Sequence, residues 1–394
     1  MFRTLWLIVL TGVLFASGCA APKKQPPLTL VEAPQDAGKL VKQLHPAGQH
    51  LSSWTDMQGA VDQSLAFVSV KPQARVALQN GAVRLTYGDL RETLVELKQV
   101  LPQLDRNPRL LKERFTWLRL TGGALMTGYY APYIEASPKR TPEYRYPLYG
   151  VPQDLQTMDL AKYHPRWKGQ KLVYRIENGE PVPYYSREEI DYEAKLRGRG
   201  LELAWAKDSV DVFFLQIQGS GLLKYPDGSM HHILYAGKNG RQYVSLGKVL
   251  IRRGLLDPKA VSMKSIREYL AAHPDEIPDL LSTNPSYVFF RVGDNGPYGA
   301  MGKLLTPRVS MATDPKVFPL GAVMAFDAKL PPEAPGAAPG EVTGIGLAQD
   351  TGGAIKGARL DWFCGSGTNV EYFAGHIKSP ASVYMLVSKE VLKR

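Results

Sequence analysis

The stretch Ile345–Gly367 reads IGLAQDTGGAIKGARLDWFCGSG, and two short apolar runs in it flank a turn holding Gly352, Gly353 and Gly357. Alternation around Ile345 and Leu347 predicts one strand, and Arg359 to Phe363 predicts a second. Asp350 ends the first run and Asp361 interrupts the second. Aspartate is a poor strand residue, so Asp361 within Leu360-Asp361-Trp362-Phe363 needs a reason. One reason is a carboxyl aimed into a cleft, where apolar neighbours raise its pKa and let it serve as an acid. The other is a turn or buried aspartate satisfied by backbone amides. Spacing alone leaves both open.

Working outward, the chain alternates between helical and strand-rich blocks. Leu51 to Leu65 places Trp54, Met57, Val61 and Leu65 near one helical face. A stronger helix is expected from Asp89, with Asp89 and Glu92 as a capping-box-like pair and Leu90, Leu94, Leu97 and Leu101 as its buried stripe. TGYYAPYIEAS, from Thr127 to Ser137, reads as an exposed loop bearing tyrosine rings or as a tyrosine-rich hairpin edge. From about Arg140 to Arg241 short strands predominate: Arg145–Tyr149, Lys171–Ile176, Val210–Gln218 and Ile233–Tyr235. Within this block Ser186 caps a short helix, with Glu189 three residues on. DVFFLQIQGSG, from Asp211 to Gly221, alternates as a strand whose polar face presents Gln216, Gln218 and Ser220. Those neutral groups suit hydroxyl and acetamido partners, or simply water.

Helices return with Ser245 and Ser262 as caps and a third near Ile277 to Leu281. Strands follow at Tyr287–Val292, Val317–Phe326 and Val383–Val387, with a loop at Pro331–Gly340. This order predicts a domain inserted into another: 140–240 inside a domain made of 51–139 and 241–394.

The chain has 394 residues, enough for two domains with cores of their own. Its net charge of +11 suits an anionic partner. The positive charge is scattered, so nucleic acid is the weakest candidate beside a membrane surface or an acidic polymer. Arg3 precedes an apolar run from Leu5 to Ala16, too short to span a bilayer and typical of a signal peptide. Leu14-Phe15-Ala16-Ser17-Gly18-Cys19 resembles a bacterial lipobox. That resemblance implies a leader of residues 1–18, lipid on Cys19 and, with Ala20 next, the periplasmic side of the outer membrane. Pro22, Pro26, Pro27 and Pro34 among scattered polar residues predict a tether over 19–50. The other cysteine, Cys364, reads as a small buried hydrophobe.

P-loop, HExxH and G-x-S-x-G signatures are absent from the sequence, and Gly344-Ile345-Gly346 lacks the third glycine of a dinucleotide fingerprint. His231 and His232 are adjacent, so on a strand they face opposite ways, which disfavours a metal site. Neither metal nor cofactor is expected. Aspartates, tyrosines and amides remain, and they suit acid catalysis on a polysaccharide such as peptidoglycan, whose stem peptides make it acidic.

The ordered set TGYYAP, YYSREEI, FFLQIQGSG, YAGKNGRQYVSLGK, SYVFFRV, TPRVSMATDPKVFPLG and AQDTGGAIKGARLDWF resembles the membrane-bound lytic murein transglycosylase A family with its C-terminal 3D domain. Ala131 departs from it, standing where the motif has glutamate. The resemblance implies a mainly β fold with flanking helices: a double-psi β-barrel, an inserted second β-barrel and a groove between them. Three family aspartates match Asp314, Asp350 and Asp361, and the single catalytic carboxylate falls at Asp361. Asp350, Asp314, Thr127, Tyr129, Tyr130, Gln216, Gln218, Ser220, Gly221 and Lys356 are then expected to bind substrate or tune that acid. The reaction implied is cleavage of peptidoglycan strands with formation of a 1,6-anhydromuramyl end. A two-carboxylate hydrolase and a non-catalytic binding lipoprotein are the alternatives. A place in a cell-wall enzyme complex fits the same location.

Overall fold

The computed structural model describes residues 28–392, the side chains of Thr368 and Asn369 apart. The leader and Cys19 therefore lie outside the described residues.

Around Ile345–Gly367 the chain closes a ring of six strands. They are β1 (Ala124–Ala131), β2 (Ser310–Ala312), β3 (Val323–Leu330), β4 (Gly340–Asp350), β5 (Arg359–Ser366) and β6 (Lys378–Ser388). The order round the ring is β6-β3-β4-β2-β5-β1, and β1 pairs back onto β6. Pairs β1–β5 and β2–β4 are parallel and the others antiparallel. Closure leaves no free edge among these strands. Ile345, Leu347, Trp362, Val383 and Met385 are wholly buried in the core it forms.

Two helices cover this barrel: Gln58–Ser69 packs on β4 and Tyr87–Leu104 on β6. Leu90, Leu94, Leu97 and Leu101 form the expected buried stripe, and truncating one such leucine costs about 2–5 kcal/mol. The second helix starts earlier than expected, however. Thr86 is its cap, and Asp89 rather than Glu92 returns the hydrogen bond, taking the Thr86 N–H at 2.7 Å. The Thr368–His376 helix lies against β1 at Gly128, where a Cβ would come within 2.9 Å of the Ala374 carbonyl oxygen.

The expected tether is ordered structure over much of its length. Leu30–Glu32 pairs with the strand Phe115–Leu120, which in turn pairs with β6. Leu40, Val41 and Leu44 join the core. Gln49 is wholly buried, donates to the Arg308 and Ile345 carbonyls, and accepts the Ile345 N–H at 2.8 Å. Pro34, one of the prolines read as marks of a tether, instead begins the helix Pro34–Leu40, and Pro46 likewise begins the turn Pro46–Gln49. Proline suits that first position because its missing N–H has no helical partner there anyway.

The chain leaves the barrel through Pro132 into the inserted unit. Six strands run there in the spatial order Val288–Gly293, Met230–Lys238, Gly221–Lys224, Tyr133–Ser137, Glu202–Ala206 and Tyr146–Tyr149. A bridge between Gly150 and Phe290 brings the two ends together. Both expected β-barrels are thus present, one inserted in the other. The insert runs from Tyr133 to Gly293, wider than 140–240, because the helices between Leu246 and Ser282 pack on Phe213 and Phe214 of the insert. A separate three-stranded sheet, Gln156–Asp159, Lys171–Glu177 and Glu180–Pro183, branches from it.

Three further expectations change. Thr127 to Ala131 belong to strand β1, paired on both sides with Tyr130 and Ala131 buried, and so form neither an exposed loop nor a hairpin edge. Asp211–Gln218 belongs to a helix, Ser209–Gln218, capped by Asp208 and ended by Gly219 at φ 85°. Val210, Val212, Phe213, Phe214 and Leu215 are all buried, and a short run buried all round gives no periodicity to separate helix from strand. Finally, Val317 and Phe318 lie in a turn closed on the Asp314 carbonyl, and the strand begins only at Val323.

Candidate active site

Strand register assembles the site. β2 lies between β4 and β5, so Ala312 pairs with Asp350 on one side and Asp361 on the other. On the far side of β5, Asp361 pairs with Thr127 of β1. The Thr127 hydroxyl donates to Asp361 Oδ1 at 2.6 Å. Arg359 approaches the same hydroxyl oxygen at 3.4 Å from Nε, which occupies the oxygen's acceptor side and leaves its proton for Asp361.

Asp361 opens to solvent on one side but sits between the buried Leu360 and Trp362. Burial pushes its carboxyl up to about 6, against the pull of the Thr127 hydroxyl and the Arg359 charge, while the Asp350 charge adds to the rise. A carboxyl in that range holds a proton at mildly acid pH and gives it up readily.

Asp350 is held differently. It accepts from the Tyr129 hydroxyl at 2.9 Å and from the Ala300 and Thr351 N–H groups at 2.8 Å. Burial raises its carboxyl too, but all three donors favour the charged form. Burial, and then the Asp350 charge, push the Tyr129 phenol well above its ordinary value, so it stays a donor.

These groups line one wall of a groove of about 1180 Å³, roomy enough for an oligomer. The insert supplies the facing wall, with Gln216, Gln218, Ser220, Tyr235 and Arg241. Gln216 is 5% exposed, and neither atom of its amide has a partner among the described residues. Gln218 takes the Tyr130 N–H at 3.2 Å and so ties the insert to β1. Ser220 takes the Tyr235 N–H at 3.3 Å.

Of the expected residues, Tyr129, Tyr130, Gln216, Gln218, Ser220, Asp350, Lys356 and Asp361 all line the groove, and Thr127 touches it through Asp361. Two others serve it from outside. Asp314 is buried and takes the N–H groups of Lys316 and Gly357, clamping the turn between β4 and β5. Gly221 allows close approach, since a Cβ there would meet the Pro132 carbonyl oxygen at 2.7 Å. Tyr130 keeps a buried ring whose phenol is raised chiefly by burial and then by Glu371. Cys364 is buried, with its thiol pushed up to about 12, and is inert packing.

Arg359 was not among the expected residues, yet it stands two positions before Asp361 on the same strand face, a placement that period-two alternation gives directly. The Ala300 N–H left no trace in the sequence because it is main chain. Among the described residues no group of three or more His, Cys, Asp or Glu side chains is gathered to hold a metal ion.

Two barrels, one inserted in the other, with a groove between them and a buried-edge aspartate on its wall, define the architectural class. Residues 125–291 match the family model described as the MltA specific insert domain, and residues 309–387 that of the 3D domain. Membrane-bound lytic murein transglycosylase A of Vibrio cholerae is 34% identical over 269 residues, 67% of this chain and 66% of that protein. Its Escherichia coli K12 counterpart is 33% identical over 273 residues. The aligned stretch spans 66% of the length of each of these two relatives. A membrane-bound lytic murein transglycosylase of Agrobacterium tumefaciens superposes with TM-score 0.76 at 30% identity, covering 93% of this chain and 99% of that one. The E. coli MltA structure with bound chitohexaose gives TM-score 0.66 at 25% identity, covering 92% of this chain and 95% of that one. The chain belongs to the membrane-bound lytic murein transglycosylase A family.

Proposed function

We propose that the protein is a lytic transglycosylase of peptidoglycan that cleaves the β-1,4 bond between N-acetylmuramic acid and N-acetylglucosamine with Asp361 alone. The observation that carries this is a carboxyl on the wall of a groove of polymer size, hydrogen-bonded to Thr127 and pushed up to about 6 by burial. Family membership and the glycan bound to a relative support the substrate.

In the first step protonated Asp361 gives its proton to the glycosidic oxygen as the C1–O bond breaks. The muramyl C6 hydroxyl then attacks C1 and loses its proton to the Asp361 carboxylate. The product is a 1,6-anhydromuramyl end, Asp361 returns to the acid form, and no water is consumed. An internal nucleophile has a high effective concentration, so no second carboxylate is needed to activate water. Asp350, already engaged by three donors, is suited to fixing Tyr129 and the Ala300 loop. Gln216 offers an unspent amide to an acetamido or hydroxyl group.

Mass spectrometry of digested sacculi tests the reaction. Anhydromuramyl ends are expected; reducing ends would mean a hydrolase, and intact strands a binding protein. Lipid at Cys19 and the periplasmic face of the outer membrane complete the proposal. Cys19→Ala is expected to release active protein from membranes, and retention there would overturn the anchor.

A further inference from the structure

From Leu160 to Ile176 the chain carries Lys162, Arg166, Lys168, Lys171 and Arg175 and not one Asp or Glu. This segment forms the 3-10 turns Leu160–Lys162 and Pro165–Trp167 and most of the central strand of the three-stranded sheet. Arg175 is committed to packing: it pairs with Glu177 at 2.9 Å and lies 4.2 Å from the Tyr185 ring centre. Lys162, Arg166 and Lys168 are exposed and, among the described residues, have no carboxylate partner. Asp159, the acid just before the segment, spends its carboxylate capping the Ala161 N–H at 3.0 Å. Aromatic surface accompanies the charge. Tyr163 is 64% exposed, and Arg166 stacks 4.8 Å from the Trp167 ring centre.

This basic arm is continuous with the groove. Val173 packs so closely on Gly240 that a Cβ there would come within 2.5 Å of the Val173 Cβ, and Gly240 and Arg241 line the groove. Gly240 therefore joins the groove to the strand that carries Lys171 and Arg175. Its sugars are neutral, and the carboxylates of peptidoglycan sit on its stem peptides. Unpaired cations beside exposed rings match those peptides better than the sugar chain.

We propose that this arm is a second docking surface for peptidoglycan, taking the carboxylates of stem peptides outside the cleavage groove. The inference rests on the proposed substrate. It gives the net positive charge a specific use: holding the enzyme on the sacculus between cuts.

The test compares the full mature chain with its Lys162→Gln/Arg166→Gln/Lys168→Gln variant, both carrying Cys19→Ala so that lipid does not mask differences. Binding is measured with intact sacculi, with glycan strands stripped of peptides and with their freed lactyl carboxylates amidated, and with phosphatidylglycerol-containing vesicles. The variant is expected to bind intact sacculi more weakly, by about tenfold at low ionic strength, with the difference fading as salt is raised. Binding to stripped strands and to vesicles, and turnover of stripped strands, are expected to stay unchanged. Unchanged affinity for intact sacculi overturns the proposal, as does an equal loss on stripped strands, which would mean sugar contact. A loss confined to vesicles would make the arm a membrane contact and overturn it too. Turnover of stripped strands by the unsubstituted arm reads the cleavage activity separately, so failure there is failure of the substrate reading and not of the arm.

Discussion

The barrel wall of the groove carries Thr127, Tyr129, Asp350 and Asp361 on paired strands, whereas the insert wall offers Gln216 from a helix, Tyr235 from a strand, and Ser220 and Arg241 from the loops beside strands. On the first wall strand register sets Thr127 beside Asp361, and the Thr127 and Tyr129 hydroxyls each donate to a carboxylate. On the second, Gln218 and Ser220 accept main-chain N–H groups and Arg241 donates to the Tyr184 carbonyl, while the buried Gln216 amide has no partner among the described residues. A proton donor must be placed to a fraction of an ångström, and a registered sheet does that. Gripping a long polymer tolerates looser placement. Substitutions on the barrel wall should therefore lower kcat, and those on the insert wall should raise KM.

The largest effect belongs to Asp361→Asn, which keeps shape but removes the transferable proton. Turnover should fall by ~10³-fold or more while sacculus binding persists. Because the Asp361 carboxyl is raised from 3.8 to about 6 in the folded protein, its ionised form opposes folding above that pH. The asparagine variant should thus melt no lower than the parent at pH 7 to 8. A tenth of parental turnover would remove Asp361 from the role of acid.

Asp350→Asn comes next, with a fall of about 10- to 100-fold in kcat as Tyr129 and the Ala300 loop lose their charged acceptor. A loss equal to that of Asp361→Asn would make Asp350 a second catalytic carboxylate and put the hydrolase reading ahead. On the other wall, Gln216→Ala should raise KM about tenfold, the scale of one buried hydrogen bond of 1–3 kcal/mol, with kcat nearly kept. A fall in kcat at constant KM there would erase the contrast between the walls.

The smallest effect is a shift. Asp361 must be protonated to act, so activity should decline as pH rises through about 6. The Thr127 hydrogen bond favours the carboxylate and lowers that value. Thr127→Val should therefore move the alkaline limb of the pH–rate profile upward. A downward move would show that Thr127 stabilises the acid form instead.

Both strands flanking the glycine turn, the Ser186–Glu189 capping box and the leucine stripe of Tyr87–Leu104 were legible because their signals are local: alternation, a cap three residues from its partner, a 3.6-residue period. Ser209–Gln218 was not, since burial on every side erases the pattern. Nor was the order of residues 30–50, where proline marks a helix start as readily as a linker. Asp350 and Asp361 could be picked out in the sequence, but their different surroundings could not. Those surroundings include the Ala300 N–H at Asp350 and the Thr127 hydroxyl at Asp361, which lie far away in sequence and are brought in only by the fold. Asp314 matched a family position, yet its work is to clamp the turn at Gly357.

One measurement tests the single-carboxyl reaction most directly: digestion of sacculi in water enriched in heavy oxygen, followed by mass analysis of the released ends. Attack by the muramyl C6 hydroxyl leaves 1,6-anhydro ends without label, and that is the result expected. Labelled reducing ends would show that water attacks C1, and Asp361 acting alone would then be the wrong mechanism.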